Sequence, residues 1–157
     1  MKLSQKDIES LSEICSAHDI KLAYIFGSTV TGKVHAESDL DLAIAFSPEI
    51  SIQQQRKEEI LLYSALQSIV RGVEIDIVNL NTLKNPLLLY KIVFSSLLIL
   101  SKDARLKIRL ERTAMQEYED TKHLRHYQLQ LMLERIRTKR FANFVPTSNY
   151  LKKYVAD

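Results

Sequence analysis

The chain has 157 residues, of which 46% are apolar and 26% are charged, a composition typical of one globular domain rather than a disordered segment. A single cysteine, Cys15, excludes an intrachain disulfide framework. Residues 1–10 contain no apolar signal segment, and the most apolar stretch, 87–100, is shorter than the roughly 20 residues that cross a membrane. We therefore expect a cytoplasmic protein with no membrane role.

The first 27 residues predict a helix followed by a buried strand. Residues 4–7 have the sequence Ser-x-x-Asp, which resembles a capping box at the start of a helix. Apolar residues at i, i+3 and i+7 from Ile8 would then share one face of a helix that ends near His18. The apolar run 22–26 is stopped by Gly27, which is typical of a short buried strand.

Residues 39–46 predict a second strand, with two unlike faces, that ends before Pro48. Successive side chains of a strand point to opposite sides. One face carries Leu40, Leu42, Ile44 and Phe46, and the other carries Asp39, Asp41, Ala43 and Ala45. This strand is therefore expected to bury one face and to present two carboxylates on the other.

A second helix is expected over 52–70, and Gly72 is expected to stop it. Its candidate core contacts are Ile52, Ile60, Tyr63, Leu66 and Ile69. A third strand over 73–80 would place Val73, Ile75 and Ile77 on one face and Glu74, Asp76 and Val78 on the other. A helix over 87–94, preceded by Pro86, and a short strand over 96–100 complete this part of the chain.

One long helix is expected over 104–139, because neither Gly nor Pro interrupts that segment. Residues 101–157 carry 13 Lys or Arg and 7 Asp or Glu, a net charge of +6, whereas the whole chain has +3. Such a basic region can attract an acidic partner or nucleic acid. A solvated helix face is the simpler interpretation, and no nucleic-acid-binding motif is present.

The segment from Gly27 to Asp41 contains the residue types that phosphate and metal chemistry requires. Gly27 allows a sharp turn and close approach of the backbone to a ligand. The Ser28 hydroxyl and the free N–H groups of the turn can hold phosphate oxygens. Asp39 and Asp41 lie two residues apart on one strand face, with Cα atoms about 6–7 Å apart. A divalent cation offsets their repulsion, and oxygen ligands together with substrate phosphates suit Mg²⁺.

The pattern of Gly27-Ser28, ten residues and Asp39-Leu40-Asp41 resembles the signature of the DNA polymerase β-type nucleotidyltransferases. The short chain resembles the smallest members, the minimal nucleotidyltransferase (MNT) proteins, which often serve as MntA-type antitoxins beside a HEPN-domain ribonuclease toxin of the HepT type. The resemblance implies an α/β (α+β) fold: a small mixed β-sheet, helices against the face opposite the carboxylates, and a long C-terminal helix. It implies one domain over 1–157, with a catalytic core over about 20–100 and a helical region over about 101–157.

The resemblance also implies a third carboxylate on a later strand, and Asp76 matches that position. Glu74 lies on the same strand face and is the competing candidate. Many relatives have an arginine after Gly-Ser where this chain has Thr29-Val30-Thr31. Either phosphate neutralisation is weaker here or Lys33 supplies it.

By this resemblance, Asp39, Asp41 and Asp76 hold two Mg²⁺ ions, Gly27 and Ser28 bind the nucleotide, and ATP is the donor of an AMP unit. The acceptor in the antitoxin branch is a tyrosine of the HEPN-domain toxin, so a hetero-oligomer with that toxin is expected, without a direct nucleic-acid role. Two alternatives stay open. One is an antitoxin that blocks its toxin by binding alone, and the other is a small-molecule nucleotidyltransferase of the aminoglycoside-modifying kind.

Overall fold

The computed structural model describes residues 3–27, 39–70 and 72–138. Within these ranges the chain forms five helices and four strands. In chain order they are α1 (Gln5–Ala17), β1 (Ile20–Phe26), β2 (Leu40–Phe46), α2 (Ile52–Ile69), β3 (Ile75–Asn79), α3 (Pro86–Ser95), β4 (Leu97–Ser101), α4 (Ala104–Asp120) and α5 (Lys122–Arg137). The predicted turn residues Ser28 and Lys33 lie outside the described ranges.

The four described strands form one mixed sheet in the order β3-β2-β1-β4. β1 pairs antiparallel with β2 and with β4, whereas β2 and β3 are parallel. The parallel pair requires a crossover connection, and α2 supplies it. The α+β class and the small mixed sheet predicted from the sequence are confirmed.

Helices cover both faces of the sheet, which corrects the expectation that they pack only opposite the carboxylates. On one face, the large apolar residues of β2 pack with α1 and α2 around Leu11, Leu62 and Leu66. On the other face, Ala43 and Ala45 pack with α3 and α4. Because these alanines are small, helices can approach the carboxylate-bearing face along the rest of the strand.

The buried face of α2 differs from the predicted one. Leu66 is buried as expected, but Ile52, Ile60, Tyr63 and Ile69 are exposed, so four of the five predicted core contacts are wrong. The helix instead turns Gln55, Leu62 and Leu66 inward. Gln55 tolerates burial because its Nε2 donates to the carbonyl oxygen of Ile50 at 2.9 Å and its Oε1 accepts from Asn79 at 3.0 Å.

The predicted long helix over 104–139 is interrupted at Thr121, where α4 ends and α5 begins. Thr121 has φ −91° and ψ 2°, and its carbonyl oxygen accepts the backbone N–H of Arg125 at 3.0 Å. Its hydroxyl accepts from the Arg125 guanidinium. Asp and Thr compete for local backbone geometry and are poor helix-interior residues, so the pair Asp120-Thr121 can end a helix without Gly or Pro.

The structure divides into two compact units, the first ending at Glu119 and the second beginning at Asp120. The sheet and α1 to α3 belong to the first unit, and α5 belongs to the second. Among the described residues, no helix is both long enough and apolar enough to cross a membrane. The prediction of one domain over the whole chain stays a prediction.

Candidate active site

The end of β1 and the start of β2 bring Gly27 against Asp41. Phe26, the last residue of β1, pairs with Asp41, so Gly27 begins its turn beside that carboxylate. Gly27 has φ +75°, a backbone conformation that L-residues with a side chain rarely adopt. A Cβ built there would lie 2.7 Å from Cγ of Asp41, and closer still to Oδ2. The absence of a side chain at residue 27 is therefore what leaves room for the Asp41 carboxylate.

Asp41 and Asp76 are direct partners across the parallel β2–β3 pair. Neighbouring strands lie about 4.8 Å apart, so these two side chains emerge side by side on the same face of the sheet. The pair is fixed at its start by the backbone N–H of Leu40, which donates to the carbonyl oxygen of Glu74 at 2.8 Å. The register thus brings together two of the three carboxylates expected from the sequence.

The surroundings of Asp41 raise the pKa of its carboxyl group above the ordinary value of 3.8. Burial is the largest cause, followed by the negative charges of Asp76 and Asp39. Both effects disfavour the ionised form of Asp41. The negative charges of Asp39 and Asp76 therefore both act on Asp41, and a cation placed among these carboxylates would relieve that repulsion.

The remaining predicted site residues occupy distinct positions. Asp39 is exposed and immediately precedes β2. Glu74 is exposed and precedes β3, and it is not among the charges that shift Asp41. Asp76 is exposed on β3 itself. Ser28, the predicted hydroxyl ligand of phosphate, lies outside the described residues.

The carboxylates fit Mg²⁺ by their chemistry but do not form a closed cage. Their oxygen-only donor set and mutual repulsion suit this ion. Within the described ranges, no group of three or more His, Cys, Asp or Glu is arranged to hold a metal ion. Mg²⁺ commonly binds one or two carboxylates and takes its other ligands from substrate phosphates and water. The arrangement therefore fits an ion that arrives with a nucleotide.

The sequence did not predict the polar cluster that holds β3 in place. Asn79, the last residue of β3, donates from Nδ2 to Gln55 at 3.0 Å and to Oε1 of Glu59 at 2.6 Å. These bonds tie the edge strand that carries Asp76 to α2. The available signal was the asparagine itself, because Asn disfavours strands and its presence in an apolar run needs a reason.

The sequence profile of the family described as "Polymerase beta, Nucleotidyltransferase" matches residues 9–105. The chain belongs to this family. The matched residues include β1 to β4 and the acidic residues Asp39, Asp41, Glu74 and Asp76. Among curated proteins, no relative matches the chain.

Solved structures with the same nucleotidyltransferase fold include several toxin–antitoxin complexes. One, a toxin–antitoxin with AMP-PNP, has a TM-score of 0.63 and 17% identity, covering 81% of this chain and 98% of that one. Another, the toxin–antitoxin MntA-HepT, has a TM-score of 0.59 and 15% identity, covering 83% and 99%. A third, a tri-AMPylated Shewanella oneidensis HEPN toxin in complex with MNT antitoxin, has the same TM-score, identity and coverage. At these identities the likeness shows the fold.

Proposed function

We propose that this chain is an antitoxin-type protein adenylyltransferase, which transfers AMP from ATP to a tyrosine hydroxyl of a HEPN-domain toxin in the cytoplasm and thereby neutralises it. The observation that carries the proposal is the pairing of Asp41 with Asp76 beside Gly27. In this pairing, two carboxylates lie on one sheet face next to Gly27, which has no side chain. Family membership gives the reaction class, and the solved toxin–antitoxin complexes favour the antitoxin branch.

In the proposed reaction, the tyrosine oxygen attacks the α-phosphorus of ATP. A new P–O bond forms, the bond from the α-phosphorus to the bridging oxygen breaks, and pyrophosphate leaves. Asp76 favours loss of the hydroxyl proton, which passes to solvent. Asp39, Asp41 and Asp76 would hold two Mg²⁺ ions. When bound, these ions neutralise charge on the triphosphate and on the attacking oxygen.

The Gly27 turn has a separate part in this proposal. Its backbone can approach the phosphates because no Cβ intervenes, and Ser28 would add a hydroxyl contact. AMP on a toxin tyrosine adds bulk and negative charge. Both would oppose the binding of RNA, which is itself an anion.

A cavity elsewhere on the same sheet face bears on the small-molecule alternative. It has a volume of about 300 Å³ and is lined by residues that include Ala45, Leu80, Leu89 and Arg109. Ala45 is four residues beyond Asp41 on β2, which corresponds to roughly 13 Å along a strand. A small acceptor held in this cavity would lie far from the carboxylates. This cavity therefore gives the small-molecule alternative no support.

The test is incubation of the full chain with Mg²⁺, a purified HEPN-domain protein encoded beside its gene, and ATP labelled at either the α- or the γ-phosphate. The proposal expects the α label, and not the γ label, on the HEPN protein. A tight complex without label would support the alternative of an antitoxin that acts by binding alone. Labelling of added aminoglycosides in place of the protein would support the small-molecule alternative.

A further inference from the structure

The second compact unit contains a helix with no buried side chain. α5 has 16 residues, and none of them is buried. Six of its large apolar side chains are 45–59% exposed, and they are Leu124, Tyr127, Leu129, Met132, Leu133 and Ile136. The last four recur at i, i+3, i+4 and i+7, so they form one continuous row, which we call the α5 stripe. Such a row on a helix surface is typical of a contact site.

No side chain of α5 is buried among the described residues, so packing does not explain why this helix is stable. An isolated helix of about this length is only marginally stable in water. Other exposed apolar residues, such as Ile60 of α2 and Ile108 of α4, belong to helices that bury another face in the core. Single exposed residues of that kind are ordinary on protein surfaces. α5 has no such buried face, and association with another surface would stabilise it.

The charges of α5 identify the kind of surface that can cover the stripe. The helix has four basic residues and one acidic residue, a net charge of +3. At 3.6 residues per turn, Arg135 and Arg137 flank the stripe on opposite sides. A second copy of α5 would bring another charge of +3 against the stripe, and the two helices would repel each other. The chain's own segment 139–157 also has four basic residues and one acidic residue, so it is no better matched.

We propose that the α5 stripe docks into an apolar groove with an acidic rim on the HEPN-domain toxin. Apolar residues would provide the buried centre of the interface, and the flanking arginines would face carboxylates at its edge. The identity of the partner rests on the proposed function. The stripe and the catalytic carboxylates belong to different compact units, so docking and AMP transfer can be tested separately.

The experiment measures binding of the full chain to the purified HEPN-domain protein by biolayer interferometry. The test variant is Leu129→Gln with Leu133→Gln, because glutamine keeps helix propensity while removing apolar surface. The matched control is Ile60→Gln with Ile108→Gln, two apolar positions outside the stripe that are more exposed than Leu129 and Leu133. We expect the dissociation constant to rise at least about tenfold in the stripe variant and to stay within about twofold in the control. Circular dichroism checks that the helix content is kept.

Charge reversal at Arg135 and Arg137 to Glu should slow association at low salt, and the difference from wild type should shrink as salt rises. The variant Asp39→Asn with Asp41→Asn should bind with wild-type affinity. Suppose that this variant and the wild type bind equally well, and that the wild type transfers no AMP. The proposed function then fails, whereas the docking surface stands.

Several results would overturn the docking proposal. One is equal affinity of the stripe variant and the wild type, and another is no binding of the wild type at all. A dimer of the chain alone that the stripe variant abolishes, seen by light scattering, would assign the stripe to a second copy. A dye-binding surface that appears when 139–157 is removed, and that Leu129→Gln abolishes, would assign the stripe to the chain's own C-terminal segment.

Discussion

The carboxylate of Asp41 occupies the space that a side chain at Gly27 would need. The two residues meet because Phe26 pairs with Asp41, which places the turn at the base of the carboxylate. This contact makes Gly27 part of the site rather than only a turn residue. Any substitution there must displace the carboxylate that the proposed mechanism uses.

Gly27→Ala should therefore abolish nucleotide binding and AMP transfer. Gly72→Ala is the matched control, since Gly72 has φ +77° but nothing lies within 4 Å of a Cβ built there. Both variants carry the backbone cost of a left-handed residue, about 1–2 kcal/mol, but only Gly27→Ala has the collision. Calorimetry with ATP and Mg²⁺, and urea unfolding of both variants, provide the measurement. Equal nucleotide affinity in the two variants would mean that the Asp41 contact is only structural.

Asp41→Asn should raise the melting temperature of the metal-free protein at neutral pH. The folded-state pKa of Asp41 is raised, so its ionised form opposes folding, and stability is lost as pH rises through that pKa. The amide removes this penalty. Below the ordinary carboxyl pKa of 3.8 the Asp41 carboxyl group of the wild type is also uncharged. The difference in melting temperature between variant and wild type should therefore vanish there. A variant that melts below wild type at neutral pH without metal would contradict a penalty on the ionised form of Asp41 from burial and from the neighbouring carboxylates.

Asp76→Asn should lower kcat for AMP transfer by about 100-fold or more, the range for loss of a group that assists proton removal. Its effect on nucleotide affinity should be much smaller, because the interaction is used mainly in the transition state. Glu74→Gln is the matched control and should be mild. Steady-state kinetics of both variants make the comparison. The opposite ranking would assign the third carboxylate to Glu74.

Tyr24→Phe should leave the protein as stable as wild type or more stable by about 1 kcal/mol. Tyr24 is buried, and its hydroxyl has no hydrogen-bond partner among the described residues. Burial and the charge of Glu111 raise the pKa of Tyr24 to about 12, so the neutral hydroxyl is the buried form. Burial without a hydrogen bond costs about 1–3 kcal/mol. The variant removes that cost.

Urea unfolding measures the stability of Tyr24→Phe against the wild type, with Tyr63→Phe as the surface control. The hydroxyl of Tyr63 accepts from Gln67 at 2.9 Å on an exposed helix face, so its loss should change stability by less than about 0.5 kcal/mol. A loss of more than 1 kcal/mol in Tyr24→Phe would show that the buried hydroxyl has a partner.

The strands could be predicted from the sequence because their signals are local. Leucines and isoleucine alternate with aspartates and alanines along β2, and the structure keeps that division between the two sheet faces. The cap at the start of α1 was equally local: Asp7 N–H donates to Ser4 Oγ, and the Ser4 backbone N–H donates to the Asp7 carboxylate at 2.8 Å. Helix α3 begins at Pro86, where a proline is well tolerated.

The errors arose where tertiary contacts outweigh local pattern. The apolar residues of α2 predicted that one helix face would be buried. Hydrogen bonds to Ile50 and Asn79 allow Gln55 to be buried instead, and most of the predicted face is exposed. The break at Thr121 has a local cause instead, because Asp120 and Thr121 are poor helix-interior residues and can end a helix that contains neither Gly nor Pro. The closeness of Gly27 to Asp41 depends on the β1–β2 register, which the sequence pattern alone does not specify.

The proposed function requires metal-dependent transfer of AMP to a partner tyrosine through Asp39, Asp41 and Asp76. The most direct measurement is intact-mass and peptide mass spectrometry of the HEPN-domain protein after incubation with this chain, ATP and Mg²⁺. The proposed mechanism predicts one or more AMP units on tyrosine with the wild type. It predicts none with the double variant Asp39→Asn with Asp41→Asn, and none after chelation of the metal. An unmodified partner, or equal modification by the wild type and the double variant, would contradict it.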